Sequence, residues 1–160
     1  MESVLKMSNK LKWMKQAMKQ AEKAALLDEV PVGCVIVKDG KCIAKGYNKK
    51  EKTQRVSDHA EMIAIAKASR KLGTWRLEEC ELYVTLEPCA MCASAILQSR
   101  IKKVYFATYE PKGGALGSTF NMYEIPGFNH YPEIEGGIIQ EESSQLLKQF
   151  FKEKRVKKQR

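Results

Sequence analysis

The chain has 160 residues, 44% of them hydrophobic, with 28 Lys and Arg against 19 Asp and Glu, a formal net charge of +9. That length and composition suit a single folded domain over residues 1–160 and exclude wholesale disorder. No stretch approaches the ~20 apolar residues of a membrane span. The lysine-studded start from Met1 to Gln20 lacks the apolar centre of a secretory signal. Five cysteines, an odd number, argue against a disulfide framework and for a reducing cytoplasm.

From about Ser8 to Leu27 the pattern is an amphipathic helix, with Leu11, Met14, Met18, Ala21 and Ala25 as its apolar stripe. Val30 to Lys38 reads as a buried strand, Asp39-Gly40 as a hairpin turn and Cys42 to Tyr47 as the returning strand. Cys34 and Cys42 read as small core residues. Asn48 opens a polar loop, 49–58, placed to line a pocket. A helix over His59 to Leu72, with Met62, Ile63, Ile65 and Ala66 to bury, stops at Gly73. Glu81 to Leu86 is a strand, Cys89 to Ser99 a helix and Lys103 to Thr108 a strand. Two strand–helix units in succession predict a partly parallel sheet, with ligands held at the carboxyl ends of its strands. Beyond a glycine-rich loop from Pro111 to Ser118 come a helical turn within Thr119 to Ile125 and a weak last strand at Gly137 to Gln140. The final helix is expected over Glu141 to Arg155, with Leu146, Leu147, Phe150 and Phe151 facing inward or toward a ligand.

Positive charge gathers at the end. From Lys148 to Arg160 seven basic residues face one acid, Glu153. Such a stretch points to a polyanion, nucleic acid first, with a merely solvated surface as the plain alternative. The basic segment 152–160 is expected to be flexible until it meets a partner.

Two short stretches carry the chemistry: His59-Ala60-Glu61 and Pro88-Cys89-Ala90-Met91-Cys92. Thiols three residues apart fall on one side of a helix's first turn, and a helix start favours thiolate, the ligating form. Pro88 fits just before that turn. One His and two Cys make three ligands for a zinc ion, leaving a fourth tetrahedral position for water, as catalytic zinc sites do. Glu61, two residues from His59, points past the metal into the pocket. A lone CxxC or a lone His-x-Glu is common and means little. Together, H-x-E followed by P-C-x-x-C is the signature of zinc nucleobase deaminases.

Over nearly its whole length the chain resembles the bacterial tRNA-specific adenosine deaminases. The motifs are Glu29-Val30-Pro31-Val32-Gly33, Gly46-Tyr47-Asn48, His59-Ala60-Glu61, Tyr83 through Cys92, the segment through Gly117-Ser118, Asn129-His130, and Phe150-Phe151 before a basic end. The resemblance implies an α/β chain with a three-layer α/β/α cytidine-deaminase-like fold around a central five-stranded mixed sheet. It also implies a homodimer with one zinc per subunit, converting the wobble adenosine of a tRNA anticodon stem-loop to inosine. By motif, His59, Cys89 and Cys92 hold the zinc and Glu61 moves protons. Asn48 bonds the flipped base, and Glu110 stands where the family commonly has Asp, near a flanking ribose. Asn129, His130, Phe151, Lys154 and Arg155 touch the anticodon loop. The expected chemistry is hydrolytic: zinc lowers the pKa of water to about 7, and Glu61 carries protons to N1 of adenine and to the departing ammonia. Two rivals share parts of this pattern. A deaminase of free guanine, cytosine or deoxycytidylate shares the metal site but has no need of the basic last helix. A zinc-stapled RNA-binding module without catalysis needs a fourth protein ligand, which the sequence does not offer.

Overall fold

A computed structural model describes residues 3–158. Five strands form one mixed sheet in the order β2-β1-β3-β4-β5. β1 (Gly33–Lys38) pairs antiparallel with both β2 (Lys41–Tyr47) and β3 (Cys80–Leu86), while β4 (Lys103–Thr108) runs parallel to β3 and to β5 (Glu133–Glu135). Side chains alternate across β1, β3 and β4, and both sets are apolar. Cys34, Ile36, Leu82, Val84, Val104 and Phe106 pack on one face, against α3 (Ala60–Leu72) and α4 (Ala90–Gln98). Val35, Val37, Tyr83, Tyr105 and Ala107 pack on the other, with Trp13, Met14 and Ala17 of α1 (Val4–Leu26). Cover on both faces is why these strands read as continuous hydrophobic runs. α5 (Gln140–Lys158) lies beside α1: buried Phe150 points inward and the Ser143 hydroxyl donates to the Thr85 carbonyl at 2.6 Å. The result is the expected α/β/α sandwich with a five-stranded mixed sheet.

Several elements differ from their sequence pattern. α1 buries Met14, Ala17, Met18, Ala21 and Ala24, so its inward stripe is turned from the expected one, and Leu11 is 40% exposed. α3 buries Ala60, Glu61, Ala64 and Ala68, whereas Met62, Ile63 and Ile65 are half-buried and Ala66 is exposed. Close approach explains this: a Cβ on Gly46 of β2 would lie 2.5 Å from the Ala60 carbonyl oxygen, so only small residues fit the helix face over that strand. The loop after Asn48 contains one short helix, α2 (Lys50–Thr53), and the helical turn after the glycine-rich loop is a 3-10 turn over Met122–Glu124. The last strand is Glu133–Glu135 and not Gly137–Gln140; Ile138 and Ile139 pack by side chain on the α1 face instead. α5 continues to Lys158, past the expected end at Arg155. Residues 159–160 lie outside the described residues.

A polar cluster closes the α1 side of the sheet. Lys10 Nζ lies 2.9 Å from both Glu135 oxygens and Lys103 Nζ lies 3.2 Å from one, while Tyr105 donates to Glu81 at 2.8 Å. Partial burial by itself would raise the Glu135 pKa, but the hydrogen bonds and charges of Lys10 and Lys103 outweigh it and hold the carboxyl below its usual value. A depressed folded pKa contributes stability above the unfolded value, near 4.5, that is lost as pH falls through the folded one. Glu135→Gln should therefore be less stable than the parent at neutral pH. The gap, measured by urea unfolding at stepped pH, should shrink below about pH 4.5; a gap independent of pH would show that this ion cluster contributes nothing.

Candidate active site

The sequence places a ligand-type residue just before each of the two helices on one face of the sheet. His59 is the N-cap of α3 and Cys89 the N-cap of α4, both extended (ψ 155° and 175°), and neither side chain caps its own helix. Freed from capping, both point at the carboxyl end of β3, where Cys92 arrives from the first turn of α4. His59 Nδ1 lies 3.7 Å from Cys89 Sγ and 3.5 Å from Cys92 Sγ, and all three donor atoms lie within 4.8 Å of one another. Among the described residues this is the one group of His, Cys, Asp or Glu side chains that could hold a metal ion, and no fourth such ligand joins it. Two helix N-termini converge here, so their partial positive charges favour anionic sulfur.

The electrostatics agree. The hydrogen bond from Cys92 draws the Cys89 thiol down to about 4, against the opposing effect of burial. Its bond with Cys89, and then burial, push Cys92 far up. Without metal the two sulfurs thus share one proton as a unit, and a metal would displace it. The hydrogen bond with Cys89 raises His59, although burial opposes this. Burial pushes the Glu61 carboxyl up to about 7. Cys34, predicted as core, is fully buried, and burial raises its thiol.

His59, Cys89 and Glu61 line a cavity of about 400 Å³ together with Val30, Asn48, Leu86, Glu110 and Lys112. Asn48 is held by its own loop: its amide donates to the Val30 carbonyl at 3.3 Å and its oxygen accepts from the Lys50 N–H at 3.1 Å. One N–H and one lone pair are left over for a ligand. A second groove of about 550 Å³ adjoins the first through Val30, Leu86, Glu110 and Lys112, and is walled by Tyr109, Lys148, Phe151 and Arg155. Phe151 is 43% exposed, unlike its buried neighbour Phe150.

A family model for MafB19-like deaminases matches residues 8–155. The tRNA-specific adenosine deaminase of Bacillus subtilis (strain 168) is 48% identical over 146 residues, 91% of this chain and 91% of its own. That of Aquifex aeolicus (strain VF5) is 46% identical over 143 residues, 89% of this chain and 94% of its own. The chain belongs to the tRNA-specific adenosine deaminase family. A solved structure from a study of A-to-I editing by tRNA:A34 deaminases at the wobble position of transfer RNA matches with a TM-score of 0.82 at 41% identity, over 84% of this chain and 98% of that one. A guanine deaminase from Nitrosomonas europaea shares the fold, with a TM-score of 0.72 at 20% identity over 86% of this chain and 82% of its own.

Not every residue named from sequence reaches the cavity of this deaminase. Lys154 is bound to Asp28 at 2.7 Å and does not line either groove. Asn129 lines a separate hollow with Trp75 and Arg100, and His130 Nε2 donates to the Ile101 carbonyl at 2.8 Å. Ile101 precedes β4, seven residues and roughly 20 Å of extended chain from Thr108 at the cavity end. Within one chain, then, Asn129 and His130 sit at the opposite end of the sheet.

Two buried glutamates that the sequence reading left without a role hold the cavity's lips. Glu29, 1% exposed, accepts from the N–H groups of Glu51 and Lys52 at 3.0 and 2.7 Å, fixing the loop after Asn48. Glu87, 2% exposed, does the same for the glycine-rich loop. A signal was present: each acid abuts a buried strand and a proline (Glu29-Val30-Pro31, Glu87-Pro88), and an acid in such a place must find partners.

Proposed function

We infer that this protein is a metal-dependent hydrolase that converts the wobble adenosine, position 34, of tRNA anticodon loops to inosine, releasing ammonia. The observation that carries the reading is the His59–Cys89–Cys92 cluster opening onto a cavity that also holds Glu61 and Asn48. Zinc suits the donor set: tetrahedral bonds of about 2.3 Å to sulfur and 2.0–2.1 Å to nitrogen separate those atoms by roughly 3.6 Å, against the 3.5 and 3.7 Å found. Bound there, one zinc per subunit supplies a Lewis acid that makes water acidic enough to attack near neutral pH.

The chain's own residues do the rest. The cavity admits one base only after it leaves its stack, which costs little in a hairpin loop. Asn48 directs its free N–H and lone pair to the base edge and fixes its orientation. Glu61, buried in the first turn of α3 and lining the cavity, takes the proton of the attacking water and delivers it to N1. It then takes the second proton, from the hydroxyl added at C6, and passes it to the exocyclic nitrogen as the C6–N bond breaks and ammonia departs. Apolar Val30 and Leu86 keep bulk water from the reacting face. The adjoining groove takes flanking nucleotides, with Phe151 and Tyr109 as stacking surfaces, Arg155 for backbone phosphates and Glu110 near a ribose. Lys154 would reach RNA only by leaving Asp28.

We propose further that residues 1–160 act as one deaminase domain in the cytoplasm, and that no membrane is involved; no helix among the described residues is long and apolar enough to cross one. The subunits are proposed to pair through Met62, Ile65 and Ala66 of α3 and Met91 of α4, apolar residues not fully buried in one chain. Such pairing would let Asn129 and His130 meet RNA from the second subunit.

The test is to give the zinc-loaded protein a synthetic anticodon stem-loop with adenosine at the wobble position, and guanine, cytidine and deoxycytidylate in parallel. Inosine in the stem-loop digest is expected, with no ammonia from the free compounds. Ammonia from a free base without inosine would overturn the assignment.

A further inference from the structure

The loop from Glu110 to Ser118 forms one lip of the cavity and carries Glu110 and Lys112, yet three of its nine residues are glycine and its own sequence gives it little stiffness. What gives it shape is Glu87. That carboxylate accepts from the N–H groups of Glu110 at 3.0 Å, Leu116 at 3.0 Å and Ser118 at 3.1 Å, and from the Ser118 hydroxyl. Four donors fill the four lone-pair sites of a carboxylate. The flanking backbone is joined as well: Ala115 N–H donates to the Pro88 carbonyl and Glu87 N–H to the Thr108 carbonyl, both at 2.9 Å. Gly114 lies flat on the carboxylate, where a Cβ would fall within 2.5 Å of both oxygens.

We propose that Glu87 is a positioning residue for the RNA substrate, resting on the function proposed above: its buried carboxylate moulds the 110–118 lip and so sets where Glu110 and Lys112 meet the flanking nucleotide. Glu87 belongs to the backbone segment that delivers Cys89, two residues on, so the lip is registered to the metal ligands. The ligands themselves do not use its side chain. His59 and Cys89 are fixed by the starts of α3 and α4, and Glu61 by α3. Disturbing the carboxylate therefore loosens the grip on RNA and spares the chemical step.

Glu87→Gln and Gly114→Ala attack the same contact from its two sides. In Gln the amide nitrogen confronts N–H groups that need an acceptor; in Ala the added methyl displaces the carboxylate. Each variant is expected to keep one metal per chain and to raise KM for the stem-loop about ten-fold or more, as charge-assisted hydrogen bonds are lost, with kcat within about three-fold of the parent. Amide hydrogen exchange in 110–118 should quicken while that of α3 and α4 does not. The double variant should be little worse than the poorer single one, since both break one contact. Should Glu87→Gln fail to fold, Gly114→Ala decides alone. Unchanged KM, unchanged exchange, KM losses that multiply, or metal loss in step with activity would each overturn the proposal. If the parent makes no inosine, the functional reading fails, and exchange in the lip still judges the role of Glu87.

Discussion

Glu61→Gln should yield a folded protein with its metal in place and almost no inosine. The side chain is 3% exposed, sits in the first turn of α3 and faces the cavity beside Cys92. Gln preserves its volume, so the helix and the neighbouring sulfurs have no reason to move. What it cannot do is accept a proton. General acid–base catalysis by one positioned group contributes about 10²–10⁴-fold, and in the proposed mechanism the same carboxylate serves both the attack and the departure of ammonia, so a loss of about 10³-fold or more in kcat is expected. Metal analysis and single-turnover kinetics on the stem-loop read this directly. Metal lost along with turnover would make Glu61 a ligand and not a proton carrier.

Cys92→Ser should fail earlier, at metal retention. Cys92 is fully buried, and its sulfur is one of only three donors in the cluster. Serine offers a hydroxyl that ionises far less readily than a thiol, and two donors do not make a zinc site. In the parent, a metal that binds only the folded chain adds about 4 kcal/mol at a free concentration 1,000 times its Kd. Adding zinc to stripped parent protein should raise its unfolding midpoint and restore activity; the variant should show neither response. A variant that still bound one zinc per chain with parental affinity would show that the ligand set has been misassigned.

The candidate metal cluster was legible because its signal is local. His59-x-Glu61 and Cys89-x-x-Cys92 each sit at a helix start, and because β2 and β3 both run antiparallel to β1 the chain leaves both strands at the same end of the sheet, where those two helices begin. β4 was legible because it is buried on both faces. β5 was not: it has one partner strand and a single apolar residue, Ile134, so its register with β4 is backbone pairing that leaves little trace in composition. The stronger apolar run, Ile138-Ile139, serves side-chain packing, with Ile139 in a left-handed conformation that no strand would hold. The small-residue face of α3 was hidden because helix periodicity reports hydrophobicity, not the distance to the neighbouring strand. Asn129 and His130 show the same limit, since a motif names residues and not which end of the sheet they occupy. Glu29 and Glu87 escaped because an acid bonded to backbone amides leaves no charged partner to find.

His59 and Cys89 each occupy the residue just before a helix begins. The donor triangle is therefore set by where two helices are launched and not by how far they run. Lengthening or shortening α3 or α4 at its distal end leaves the triangle untouched, whereas one residue inserted between Leu86 and Ala90 would swing a sulfur away from the imidazole. The far reaches of these helices can change length without disturbing the donors, while the two launch points admit no slippage.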